Sequence, residues 1–117
     1  IFLGNAVGMA IIIGLYCNTP EFIPSIQEAA AIKFSKPWYA LFAQGTICGM
    51  LIHTATRAQA NKIITILCIM VFILIGAEHC IADLAYLYLL PSLMALGKLM
   101  LVVIGNIFGA RLVQELL

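Results

Sequence analysis

The sequence is short of charge. Of its 117 residues only 9% are Asp, Glu, Lys or Arg, six basic and five acidic, for a net charge of +1. A soluble domain carries about 25%, so this chain cannot clothe a water-facing globule. A nucleic-acid binder is excluded because there is no basic face, and a soluble cytosolic enzyme has almost no surface to stand on. A metal hydrolase is excluded too. Glu78-His79-Cys80 with Asp83 is not an H-E-x-x-H pattern, and no second histidine shares the face, so no metal site or cofactor is expected. The four cysteines, at 17, 48, 68 and 80, sit in apolar runs and read as small buried residues rather than a disulfide framework. No basic leader precedes the apolar run at Ile1, so a signal peptide is not expected, and the chain is expected to be a piece of a longer one.

What is present is apolar: 64% of the residues are hydrophobic. The runs are continuous rather than alternating, which suits helices and not barrel strands of about 10 residues. An all-α, polytopic membrane bundle follows, forming a single domain. Its spans fall at approximately 1–18, 38–57, 63–90 and 99–116. The proline-rich stretch 18–37 reads as a loop with a short interfacial helix through Gln27 to Phe34. Arg57 to Lys62 is a tight polar connection, and Pro91 to Lys98 a turn.

The third span is too long and carries charge at depth. Its residues 63–90 would make a helix of roughly 42 Å against a hydrocarbon core near 30 Å. Glu78 and His79 lie past the midplane, where an unpaired charge costs several kcal/mol. Gly76 stands just before them. These residues predict a helix interrupted between Gly76 and Cys80, tolerated only where the bare backbone is buried or lines a cavity. The break is therefore expected to form part of a pathway.

A short repeat accompanies it. Gly4-Asn5-Ala6-Val7-Gly8 and Gly105-Asn106-Ile107-Phe108-Gly109 both read G-N-x-x-G. Small residues at i and i+4 allow close helix approach, and an Asn amide can bond across it. Weak internal symmetry of this kind is what repeat-built transporters show. His53 and His79 invite a haem-binding or redox reading, but counting along straight helices sets His53 about 6 Å and His79 about 25 Å from the Arg57–Lys62 end. The two would not be level.

The string Gly76-Ala77-Glu78-His79-Cys80-Ile81-Ala82-Asp83-Leu84-Ala85-Tyr86-Leu87 resembles the G-x-E-H-[SC]-x-A-[ND] signature of the formate/nitrite transporter family. Leu101 to Ala110 (LVVIGNIFGA) is similar to that family's last-helix motif, and Leu3 to Gly8 (LGNAVG) to the start of its third helix. Lys33 and the segment Gln44 to Gly49 match its loop and fourth helix, so the resemblance runs from end to end.

The resemblance implies an aquaporin-like protomer of six helices in two inverted halves, assembled as a homopentamer in the inner (plasma) membrane. Each protomer would pass small monovalent anions such as formate or nitrite, with protons as the second partner. This chain would supply helices three to six. His79 would be the central pore histidine, exchanging a proton with the anion of a weak acid as only imidazole can near neutral pH. From periodicity alone it reads equally as a buried neutral histidine. Asn106 would offer its amide to the anion or serve helix packing. Phe72, two turns before His79, and Ile52 would form constrictions or face lipid. Lys33 would raise the anion concentration at the outer mouth by its field, or be a solvated loop lysine.

Gly76, Glu78 and Asp83 are assigned to the structure of the break. Glu78 is expected to accept from freed backbone amides or to sit at a protomer interface. Asp83 stands where the family pattern usually has Asn and is expected to be paired away from the pore. Lysine and arginine are split three against three between the two sides, so the positive-inside rule does not decide orientation. The resemblance places the Arg57–Lys62 connection in the cytoplasm. The function expected is therefore an anion channel or transporter and not an enzyme. The alternatives are a haem-binding or redox subunit and an inactive truncated fragment.

Overall fold

Prolines, caps and one left-handed glycine divide the chain. The computed structural model describes residues 2–16, 18, 21–89 and 92–116, and regular structure among them is helical throughout. The helices are α1 (Phe2–Tyr16), α2 (Phe22–Ser35), α3 (Trp38–Arg57), α4 (Lys62–Leu74), α5 (Cys80–Leu89) and α6 (Leu93–Leu116). The expected roles of Cys17 and Pro91 lie outside the described residues.

Each boundary has a local cause. The helix expected over Gln27 to Phe34 is longer, because Pro24 falls in the first turn of α2, where a missing N–H costs nothing. At its other end the Ser35 hydroxyl donates to Ile32 O (2.6 Å). The Lys98 ammonium donates to the carbonyls of Phe34 and Lys36, satisfying acceptors that a helix C-terminus leaves open. In the polar connection, the Asn61 side chain accepts from Ile63 N (3.2 Å) and Ile64 N (3.4 Å) and so caps α4.

The last helix starts earlier than the sequence suggested. It begins at Leu93 rather than Leu99, since Ser92 Oγ accepts from Ala95 N at 3.0 Å and caps the first turn. Lys98 is thus part of the helix and not of a turn.

The interruption falls where Gly76 predicted it. Gly76 has φ +60°, a conformation in which a Cβ is strained. Its N–H donates to Ile73 O and that of Ala77 to Phe72 O, both at 3.2 Å, the paired bonds that close a helix end on a left-handed residue. Residues 77–79 then lie outside any helix until α5 starts at Cys80, with His79 O accepting its first bond from Asp83 N at 2.9 Å.

The core is a seam between α3 and α6. Gly45 and Gly49 on α3 face Gly105 and Gly109 on α6 so closely that a Cβ on Gly105 would lie 2.7 Å from Phe42 O. Phe42 and Phe108 pack at 5.9 Å between ring centroids beside it. Helix α4 lies on α3, and α5 lies on α6, α1 and α2. The Tyr88 hydroxyl ties α5 to α1 by donating to Ala6 O at 2.9 Å.

The extents are 44 × 28 × 26 Å, and the long dimension matches a bilayer with its headgroups, about 40–45 Å. Among the described residues one helix, Leu93–Leu116, is long and apolar enough to cross a membrane. Leu3–Leu15 and Lys62–Leu74 are shorter apolar helices. The break explains the shortness of the second, which is one half of an interrupted apolar segment. Its surface remains apolar: Ile63 is 70% and Leu74 80% exposed, an area that water does not tolerate.

Candidate functional site

The break opens beside the α3–α6 seam. A cavity of about 310 Å³ lies there, lined from α3 by Cys48, Gly49, Ile52, His53 and Thr56, from the break by His79 and Cys80, and from α6 by Asn106, Ile107 and Ala110. Most of this wall is apolar. Phe72, on the last turns of α4, stands edge-on to the His79 ring at 6.2 Å between centroids and 90° between planes. Helix α5 starts at Cys80, so its N-terminal end, which favours negative charge, faces the cavity.

Asn106 holds the break in place. Its Nδ2 donates to Gly45 O (2.8 Å) and Glu78 O (3.0 Å), and its Oδ1 accepts from Cys80 N at 3.1 Å. One amide side chain thereby pairs backbone groups of α3 and of both ends of the 78–80 stretch. Each such group left unpaired costs about 1–3 kcal/mol. Replacing Asn106 with leucine is expected to lower stability by about 3 kcal/mol, read as an earlier midpoint in denaturant titration of the detergent-solubilised protein. An unchanged midpoint would show the amide to be dispensable.

A second cluster sits behind the cavity. Glu78 is 1% and Asp83 3% exposed. Lys33 Nζ contacts Glu78 Oε2 at 2.8 Å and Asp83 Oδ1 at 3.3 Å, while Lys36 Nζ contacts Glu78 Oε1 at 2.6 Å. Lys36 also donates to Gln44 Oε1 at 3.0 Å, and the Lys33 ammonium lies 5.2 Å from the centroid of the Tyr86 ring. Two ammonium groups and two carboxylates balance. Burial alone would lower the Lys33 pKa, but the hydrogen bond to Glu78 and the charges of Asp83 and Glu78 outweigh it and hold it above the usual lysine value.

The residues singled out in the sequence therefore fall into two groups. His79, Asn106 and Ile52 share the cavity wall, with Phe72 packed on His79. Lys33, Glu78 and Asp83 form the ion cluster, joined by Lys36, which sequence reasoning passed over. Glu78 takes its hydrogen bonds from lysines, and the break's backbone is served instead by Asn106. His53, which the sequence set apart from His79 by depth, also belongs here. It lines the same cavity as His79 because the chain leaves the helical path at Gly76, so depth counted along a straight helix does not apply beyond that point. Among the described residues no three His, Cys, Asp or Glu side chains converge to hold a metal ion.

A helical bundle with an apolar exterior, a glycine-packed seam and a broken helix presenting an imidazole to a cavity defines the class: a membrane transport protein. The chain belongs to the formate/nitrite transporter family, whose description as formate/nitrite transporter matches residues 1–117. No curated protein matches it significantly, and no solved structure does. It is accordingly a membrane protein of a family of small-anion channels and transporters, a family that is not enzymatic.

Proposed function

We infer that the protein carries the anion of a small weak acid, formate, nitrite or a close relative, past Phe72, His79 and Ile52, with His79 exchanging a proton with the anion on the way. The observation that carries this reading is the position of His79, on the wall of the cavity at the helix break and edge-on to Phe72. An anion crosses an apolar constriction at high cost, whereas its neutral acid crosses cheaply. A group that lends a proton between constrictions therefore lowers the barrier, and imidazole titrates in the right range. The N-terminal end of α5 adds favourable potential for the anion while it is charged.

In this reading Asn106 and Gly76 position the break. The amide hydrogens of Asn106 are engaged by Gly45 O and Glu78 O, so it shapes the wall and is not the principal donor to the anion. Lys33 balances Glu78 and Asp83, and a charge-neutral cluster exerts little long-range pull on an anion. The helices described here would form four crossings of a six-helix protomer in the inner membrane, the third crossing built from α4 and α5. The exposed apolar face of α4 would meet lipid or neighbouring helices in a homopentamer.

The test is flux in liposomes with an inward formate gradient. Replacement of His79 by Asn is expected to lower flux about tenfold, equivalent to 1.4 kcal/mol of barrier, and to flatten its rise towards acidic pH. Undiminished flux with the original pH profile would sink the mechanism.

A further inference from the structure

We propose that His53 provides a second binding position for the permeant anion and its acid, one to two turns along α3 from the Gly49–Asn106 contact towards Arg57. This rests on the pathway reading above and extends it to a residue outside the E-H-C-I-A-D string. Among the described residues, His53 Nε2 is the buried side-chain polar atom with no hydrogen-bond partner. It belongs to the wall of the same cavity as His79. A buried polar atom left unpaired is costly, and a cavity is where a mobile partner meets it.

The rest of the wall supports the assignment. Cys48, Gly49, Ile52, Ile107 and Ala110 bring no strong donor. Thr56 directs its hydroxyl hydrogen to His53 O at 2.8 Å, and Asn106 directs its amide hydrogens to Gly45 O and Glu78 O. Among the described residues of this wall, the Nε2 of His53 is therefore the unengaged side-chain nitrogen that a permeant molecule meets beyond the break. Gly49 adds no side chain to this wall, and a Cβ there would run into the Asn106 carbonyl.

Either ring state serves. A protonated Nε2 donates to an oxygen of the anion, and a bare Nε2 accepts from the hydroxyl of the neutral acid. The cavity of about 310 Å³ has room for an anion the size of formate or nitrite together with water, which takes about 30 Å³ per molecule. Two imidazoles on one wall then give the molecule a partner where it exchanges its proton and another as it moves on.

The discriminating comparison is His53→Phe against His53→Gln in the reconstituted protein, with formate as the probe. Glutamine keeps a donor and an acceptor near the place of Nε2, and phenylalanine keeps only the ring volume. His53→Phe is expected to raise the half-saturating formate concentration about tenfold, and His53→Gln by no more than about twofold, with the pH profile set by His79 retained in both. In the unsubstituted protein with ¹⁵N-labelled histidine, formate titration is expected to move the His53 Nε2 resonance, assigned by its loss in His53→Gln. A static resonance, or equal half-saturation in the phenylalanine variant and the parent, would overturn the proposal. The resonance readout decides the matter should His53→Phe not fold. If His79→Asn leaves the pH profile intact while the His53 resonance still responds, the proton-exchange reading fails and the binding position stands.

Discussion

Leucine at Gly49 or Gly109 is expected to abolish the folded protein, and even alanine at either position to destabilise it by about 3 kcal/mol or more. The reason is the identity of the obstacle. A Cβ on Gly49 would meet the carbonyl group of Asn106, with the Asn106 carbonyl carbon at 2.8 Å, and one on Gly109 would meet that of Thr46, with its carbonyl carbon also at 2.8 Å. A side chain in the way can rotate; a helix backbone cannot. The two helices would have to part by roughly 1 Å along their length, loosening contacts over the whole seam. A domain is stable by only about 5–15 kcal/mol, so leucine exceeds what the seam can absorb.

The contrast lies within the same helices. At Gly97, also on α6, no described residue lies within 4 Å of an added Cβ, and the same holds for Gly14 on α1. Alanine there removes backbone freedom from the unfolded chain and meets no obstacle, so Gly97→Ala is expected to be neutral or stabilising by up to about 1 kcal/mol. Denaturant midpoints of the detergent-solubilised variants make the comparison. Gly109→Ala unfolding together with Gly97→Ala would show that α3 and α6 do not meet as described.

The seam shows how far the sequence could be read. Gly105 and Gly109 stand four apart around Asn106, and that spacing announces a close helix contact. Its partners, Gly45 and Gly49, are some sixty residues away, in the Gln44 to Gly49 segment that drew notice only as a match to the family's fourth helix. A contact surface is visible in local spacing, whereas its partner is a property of the fold. The break was legible for another reason. Gly76 before two ionisable residues at depth admits few arrangements in lipid, because each unpaired polar group there is expensive.

The ion cluster and the pairing of the two histidines were not legible, and the cause is the same in both. Lys33 and Lys36 reach Glu78 only because α2 extends to Ser35 and packs against α5, which a stretch rich in proline does not suggest. Nor does counting residues along a helix locate His79 once Gly76 has turned the chain aside. Where lipid or helix geometry constrains each residue locally, sequence is sufficient. Where a side chain's partner lies on another element, it is not.

Of the charges in the cluster, Lys33 is expected to be the costliest to remove: Lys33→Met should lower stability by about 3–5 kcal/mol, the range for breaking a buried ion pair from one side. Without Lys33, Glu78 keeps Lys36, while Asp83 stays almost wholly buried and loses the cation it contacts. Removing an acid is less severe. In Glu78→Gln the amide oxygen still accepts a hydrogen bond, and the side chains of Lys33 and Lys36, 26% and 29% exposed, can turn towards water, so the loss is expected near 1–2 kcal/mol. Adding Asp83→Asn to Lys33→Met should recover a large part of the deficit, because it removes the carboxylate that lost its partner. The pH dependence follows in sign. Folding raises the Lys33 pKa, so its contribution is fully present below the unfolded lysine value and is lost only as pH rises through the folded one. On the alkaline side the gap between parent and Lys33→Met should thus narrow only as Lys33 deprotonates, and on the acid side it should narrow as the orphaned carboxylates of the variant take up protons. A double-mutant cycle over Lys33 and Asp83 provides the measurement, and additive losses would show that the two side chains do not interact.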